Sequence, residues 1–277
     1  MGSQHFMSRM KSTDYLPNKY AINDKYCTPD DKAIYTSFPS IYFYLKLVSI
    51  FAIANDQSVK GKMDDFNWIK ASDEIFRAWE KAGGKICIEG MDNLKKNEGP
   101  VVFVGNHMSS HETLVPACVI HPVKRILYVM KKDLVNFPLF GAVTLAREPI
   151  IVGRENPRED LQIVLREGKQ KLSEGKSIII FPQKTRTKFF NEKEFNTLGV
   201  KLAQKNNVPV IPLAVLTDAW QNGKLIKDLG KMDMSKPTRY SFGEPMNVTN
   251  SSEAHRYVLD FIKGKLIEWG REDLIVK

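Results

Sequence analysis

The sequence predicts an α/β fold: a central mixed, largely parallel sheet of about seven strands flanked by helices, preceded by an N-terminal two-helix annex that associates with membranes. Three observations carry this expectation. Beyond residue 85, short apolar runs alternate with amphipathic stretches, the texture of strands joined by crossover helices. Ahead of residue 85 the apolar periodicity is helical. The 277 residues, 43% hydrophobic and 26% charged, have globular composition, which excludes a disordered tail, a collagen-like fibre and a multi-span membrane protein. The chain is therefore divided into a tail with a membrane-associating region, 1–84, and an α/β domain, 85–277.

The elements follow in order. The first thirty residues are polar and contain no apolar run, so no secretory signal is predicted. Residues 38–55 are the one membrane-grade stretch, with Lys46 as sole charge, and they are short for a span. As a helix they place Tyr42, Lys46 and Ser49 on a narrow polar stripe, with Ile41, Phe43, Tyr44, Leu47, Val48, Ile50 and Phe51 over the rest. That pattern suits lying in a bilayer interface and equally suits packing on the protein's own core. A second helix is expected over 65–82, with Trp68, Ala71, Ile75 and Trp79 on one face and Gly83-Gly84 as its stop. Strands are expected at 86–89, 101–105, 125–130, 150–153, 177–181, 208–216 and 239–242. The clearest helix is 157–173: Asn156 caps it, Pro157 fits its first turn, Glu159 and Asp160 suit its dipole, and Gly175 follows its end. A last packing helix is expected over 253–269.

The net charge is +9, and its distribution is uneven. Residues 1–100 hold 14 basic and 13 acidic side chains, whereas 101–277 hold 27 and 19. The basic field therefore belongs to the α/β domain and attracts polyanions, without choosing between nucleic acid, anionic lipid and phosphorylated small molecules. No nucleic-acid-binding signature accompanies it, so no nucleic-acid partner is expected. Cys27, Cys87 and Cys118 are odd in number and lack CxxC spacing, which suggests neither a disulfide scaffold nor a cysteine zinc site and fits a reducing cytoplasm.

Two segments carry chemistry. Gly105-Asn106-His107-Met108-Ser109-Ser110-His111-Glu112 directly follows the apolar run 101–104, where a strand end opening into a helix places α/β sites. Glu112 can return across one helical turn to hold one ring nitrogen of His107. The other nitrogen then accepts a proton from a hydroxyl, as the base and orienter of a triad do. His107 and His111 also share a helical face at i, i+4 and could share a metal, although no third ligand has supporting spacing and none is assigned. Phe181-Pro182-Gln183-Lys184-Thr185-Arg186-Thr187-Lys188 follows the strand 178–180 and sends three cations and two hydroxyls out of a strand end. Arg186 can fork onto a phosphate, Lys184 can add point charge and Thr185 can donate a hydrogen bond. A solvated basic loop is the plainer alternative.

Taken together, these segments resemble the glycerolipid acyltransferase family, of 1-acylglycerol-3-phosphate acyltransferase type. Asn106-His107-x4-Glu112 resembles the NHx4D block. Pro138-Leu139-Phe140-Gly141 through Ile150-Ile151-Val152-Gly153-Arg154 resembles PxFG…FIDR, Phe181 to Thr187 resembles FPEGTRS, and Val208-Pro209-Val210-Ile211-Pro212 resembles VPxxP. Lys131-Lys132-Asp133-Leu134 is similar to the KxEL segment, Gly199 to the glycine after FPEGTRS, and Phe242-Gly243-Glu244-Pro245 to FGEP. The ordered blocks cover residues 85 to about 247.

The resemblance implies an acyltransferase that moves a fatty acyl group from acyl-CoA or acyl carrier protein, as co-substrate and with no further cofactor, onto a lysophospholipid hydroxyl in phospholipid synthesis or remodelling. It implies that His107 is the base and Glu112 its orienter. It also implies that Lys131, Arg154, Gln183, Lys184, Thr185 and Arg186 belong to the acceptor site, with Arg154 and Arg186 on its phosphate. The implied partners are membrane lipid and an anionic bilayer surface, the implied place is the cytoplasmic face, peripheral or monotopic, and the acyl tail is expected in an apolar tunnel. Three positions depart from the pattern: Glu112 replaces aspartate, Gln183-Lys184 replaces Glu-Gly, and Gly153 replaces aspartate. The departures keep two alternatives open, a non-catalytic lipid-binding relative and a metal hydrolase using His107 and His111.

Overall fold

The computed structural model describes residues 23–32, 38–138, 140–153, 155–223 and 227–276. In chain order its elements are β1 Lys25–Cys27, α1 Pro39–Val59, α2 Asp65–Lys81, β2 Ile86–Glu89, β3 Val102–Gly105, α3 His111–Leu114, α4 Pro116–Ile120, β4 Ile126–Lys131, α5 Gly141–Ala146, β5 Ile150–Val152, α6 Pro157–Ser173, β6 Ser177–Ile180, α7 Leu198–Lys205, β7 Pro209–Leu216, β8 Thr238–Phe242, β9 Met246–Asn247 and α8 Ser251–Glu268. All seven expected strands form, within two residues at either end. The two that the sequence hides, β1 and β9, are three and two residues long, too short to show alternation.

The sheet runs β1-β2-β8-β7-β3-β6-β4-β5, with β9 beside β7. Strands β7, β3, β6, β4 and β5 are mutually parallel, β8 is antiparallel to β7, and β1 is antiparallel to β2. The α/β expectation of a mixed, largely parallel sheet holds. β3, β6 and β7 are buried at every position, as strands covered by helices on both faces must be, which is why they read as unbroken apolar runs. Their shared direction brings the segments after Gly105, Ile180 and Leu216 out together at the carboxyl ends of the strands, where open α/β sheets bind ligands. Gly105 is required there: a Cβ would stand 2.6 Å from the Leu213 carbonyl oxygen.

The helix α6 ends where its sequence signals place it, and Asn156 accepts from the Arg158 and Glu159 N–H groups. Asp64 caps α2 in the same way. Both N-terminal helices join the main core. Phe43 of α1 meets Trp79 of α2 at 5.2 Å and Trp220, beyond β7, at 5.3 Å between ring centroids, each edge-to-face. The inner face of α1, Phe43, Leu47, Ile50 and Ala54, is buried, while Ile41, Leu45, Val48 and Ile53 remain exposed on its other side.

One expectation is corrected. Cys27 and Cys87 form a disulfide, with Cα atoms 4.1 Å apart. The antiparallel register of β1 on β2 sets these residues directly opposite each other. Sixty residues separate them, so spacing gave no sign of the pairing. Cys118 is buried as a free thiol.

Candidate active site

The site is assembled from loops that leave three neighbouring parallel strands. After β3, Asn106 turns back: its Nδ2 donates to the Val215 carbonyl and its Oδ1 accepts from the Val215 N–H, both at 2.8 Å. This fixes the end of β3 to β7 and delivers His107 at the carboxyl end of the strand. The His107 N–H donates to Gln183 Oε1 at 2.6 Å, and the Thr187 N–H donates to the His107 carbonyl at 2.9 Å. The loop after β6 therefore grips the loop after β3 on both sides of His107. The Phe181 ring stacks on the imidazole, with centroids 4.6 Å apart and planes 11° from parallel.

Glu112 is fully buried at the Nδ1 edge of the imidazole. Its Oε1 lies 2.9 Å from His107 Nδ1 and accepts the Met108 and Ser109 N–H groups at 2.5 and 2.6 Å. Its Oε2 accepts the Ser109 hydroxyl at 2.9 Å and the Thr217 hydroxyl at 2.6 Å. Burial alone would raise the carboxyl's pKa, but the hydrogen bonds from His107, Thr217 and the Ser109 backbone hold it below the ordinary range, so it is an anion. An anion at Oε1 fixes the proton of His107 on Nδ1 and leaves Nε2 as a lone-pair acceptor.

His111 serves a different environment. Its ring is buried, its Nδ1 bonds the Tyr240 hydroxyl, and it meets Trp79 edge-on at 4.8 Å. Burial pushes its pKa down to about 3, so it is neutral. Among the described residues no three His, Cys, Asp or Glu side chains are placed to hold a metal ion.

The remaining expected residues separate into groups. Gln183 is buried beneath the His107 loop, with Nε2 donating to the Phe189 carbonyl at 3.4 Å. Arg186, 15% exposed, donates through Nη1 to Asp228 Oδ1 at 2.5 Å and to the Ser110 hydroxyl. Lys184 and Thr185 are exposed, and Thr185 Oγ1 accepts from Lys227 Nζ at 2.6 Å. Lys131 ends β4 and pairs with Asp133. Arg154 lies outside the described residues, as does Leu139 of the second block. Thr217, Ser110 and Asp228 were missed. Thr217 had a signal, a hydroxyl ending the longest apolar strand, but Asp228 had none. An apolar cavity of about 50 Å³ is lined by Phe51, Trp68, Leu114, Tyr128, Phe140 and Val143 among others. Tyr128 also stacks on Phe181 at 6.5 Å.

Residues 85–216, the span that carries His107, Glu112 and Arg186, match the family model described as Acyltransferase. That span, just under half of the chain, is similar to this family. The chain is 28% identical over 148 residues, 53% of its length and 55% of the relative's, to the 1-acyl-sn-glycerol-3-phosphate acyltransferase of Pseudomonas aeruginosa. It is 25% identical over 142 residues, 49% of its length and 58% of the relative's, to the enzyme of the same name from Haemophilus influenzae. The chain spans about half the length of these curated relatives. Its fold is similar to the crystal structure of the 1-acyl-sn-glycerophosphate (LPA) acyltransferase, PlsC, from Thermotoga maritima, with a TM-score of 0.62 and 18% identity over 84% of this chain and 95% of that one.

Proposed function

We propose that this acyltransferase is a membrane-surface O-acyltransferase that transfers a fatty acyl group from acyl-CoA or acyl carrier protein to the hydroxyl of a lysophospholipid, lysophosphatidic acid or a close relative. The observation that carries the reading is the buried, five-times-bonded Glu112 carboxylate under Nδ1 of a His107 whose ring is 13% exposed. Such an arrangement orients a base toward a proton that comes from outside the protein.

In the step proposed, Nε2 of His107 takes the proton of the acceptor hydroxyl as its oxygen attacks the thioester carbonyl. The tetrahedral adduct then expels the thiolate, which receives that proton from His107, so an ester and a thiol result and the base is restored. Glu112 stabilises the transient imidazolium. Arg186 and Lys184 meet the acceptor's phosphate, with Thr185, Lys131 and Arg154 as further contacts. Gln183 acts from below by fixing the His107 backbone. The apolar cavity lined by Tyr128, which stacks on Phe181, receives the start of the acyl chain. No metal or other cofactor is assigned a role in these steps.

The exposed face of α1 supports placing the site on a bilayer. Phe38, Ile41, Leu45, Val48 and Ile53 are all more than half exposed, and Lys46 and Ser49 share that side. An apolar stripe with a buried opposite face lies in an interface rather than crossing it. No helix among the described residues is long and apolar enough to cross a membrane. The cytoplasmic face, where acyl-CoA and acyl carrier protein are available, is the proposed side. The test is thiol release from long-chain acyl-CoA or acyl carrier protein across lysophosphatidic acid, glycerol phosphate and other lysophospholipids. Release that depends on the acceptor supports the reading, and none with any donor refutes it in favour of a lipid-binding relative.

A further inference from the structure

We infer that Asp228 is a positioning residue for Arg186, and that it is held in place by Tyr44 of the membrane-facing helix α1. The inference rests on the reading of Arg186 as the acceptor's phosphate ligand. Three facts support it. First, among the described residues Arg186 is gripped through one nitrogen: Nη1 donates to Asp228 Oδ1 at 2.5 Å and to Ser110 Oγ, and Ser110 Oγ itself donates to the same Asp228 oxygen at 2.6 Å. A guanidinium carries five donors in a rigid fork, so holding Nη1 leaves the edge formed by Nε and Nη2 for a phosphate.

Second, the triangle of Arg186, Ser110 and Asp228 joins three loops. Ser110 lies between His107 and Glu112 on the loop that carries the base, so the carboxylate that steadies the cation also ties it to the catalytic loop. The Asp228 carboxyl is held below its ordinary range because the Arg186 and Ser110 hydrogen bonds outweigh its partial burial, so the triangle contains a full ion pair.

Third, the backbone that presents Asp228 is fastened from outside the site. Trp220 Nε1 donates to the Asp228 carbonyl at 3.2 Å, and the Tyr44 hydroxyl donates to the Gly230 carbonyl at 2.6 Å. Tyr44 lies on α1, one residue before the exposed Leu45. A continuous set of contacts therefore runs from the apolar face of α1 through Tyr44 and the 228–230 backbone to Arg186.

The test measures binding without turnover. Wild type, Asp228→Asn, Asp228→Glu and Tyr44→Phe are titrated by calorimetry with lysophosphatidic acid and, separately, with monoacylglycerol, both in the same mixed micelles. Asp228→Asn is expected to weaken lysophosphatidic acid about tenfold, the scale of a hydrogen bond to a charged group, while monoacylglycerol affinity stays within twofold. Asp228→Glu is expected to recover part of the loss, and Tyr44→Phe to shift lysophosphatidic acid in the same direction by less. Unchanged lysophosphatidic acid affinity in Asp228→Asn, or equal losses for both lipids, would overturn the inference. A parallel turnover assay separates the two claims. The expected binding pattern in a protein that releases no thiol from any donor would refute acyl transfer and leave the positioning role standing.

Discussion

Nδ1 of His107 stands 2.9 Å from Oε1 of Glu112, and that oxygen is at the same time the acceptor for two consecutive backbone N–H groups, those of Met108 and Ser109. The carboxylate is thus fixed by the chain that carries the base, and His107 cannot turn without losing its hydrogen bond to that fixed oxygen. Orientation of the imidazole is a property of backbone geometry here.

Glu112→Gln is expected to lower kcat by about a hundredfold or more, within the range contributed by a positioned base. An amide in that site cannot accept with both atoms and presents a donor to the Ser109 and Thr217 hydroxyls. Glu112→Asp retracts the carboxylate by one methylene from donors already at 2.5 to 2.9 Å, and a smaller loss of kcat is expected. A Glu112→Asp enzyme as fast as wild type, measured by thiol release, would show that carboxylate position is not tuned to this turn.

Thr217→Val preserves shape and removes the 2.6 Å hydroxyl donor to Glu112 Oε2. A buried carboxylate oxygen losing one partner costs about 1–3 kcal/mol. Denaturant unfolding should show that loss, with kcat falling several-fold. Unchanged stability would mean that Thr217 does not bear on the carboxylate.

Stability should fall on acidification between pH 6.5 and 5, before carboxylates titrate. Burial lowers the pKa of His111 to about 3, and it also lowers those of His121 and His255, against an unfolded value of about 6.5. Below pH 6.5 the unfolded chain therefore binds protons that the folded chain refuses, and the native state loses free energy as pH drops. His111→Gln should reduce the slope of unfolding free energy against pH by about 1.4 kcal/mol per unit in that window. The Glu112 contribution lies lower: its folded pKa is depressed, so its stabilisation is present above about pH 4.3 and is lost as pH falls further.

Much of this organisation was legible in the sequence because it is local. The His107–Glu112 relationship spans five residues, the Asn156 cap spans three, and the apolar runs of β3, β6 and β7 announce burial on both faces. The contacts that complete the site are not local. Thr217 reaches Glu112 over 105 residues and Asp228 reaches Arg186 over 42, and each depends on strand order, which no periodicity encodes. The Cys27–Cys87 bond was invisible for the same reason. Gln183 shows the reverse case. Its departure from the usual glutamate reads as a change of acceptor, whereas its amide sits under the His107 backbone.

Oxidised protein should unfold about 2–4 kcal/mol higher than Cys27→Ser, because the bond closes a long loop of the unfolded chain. The measurement is denaturant unfolding of the two proteins, with mass spectrometry reporting the thiols. Equal stability would show that the N-terminal strand is not held through this bond.

Replacing Leu45 and Val48 together by Asp should leave folding intact, since both are exposed, and should strongly reduce co-sedimentation with phosphatidylglycerol vesicles. Retained vesicle binding would move the contact surface away from α1.

The central claim is that His107 is the base for transfer to a lipid hydroxyl. Its most direct test compares thiol release by wild type and His107→Ala from long-chain acyl-CoA, or from acyl carrier protein if CoA is not used, with lysophosphatidic acid as acceptor. The account predicts acceptor-dependent release by wild type and a loss of at least about a hundredfold in His107→Ala with thermal stability little changed. Release by His107→Ala near the wild-type rate would contradict it.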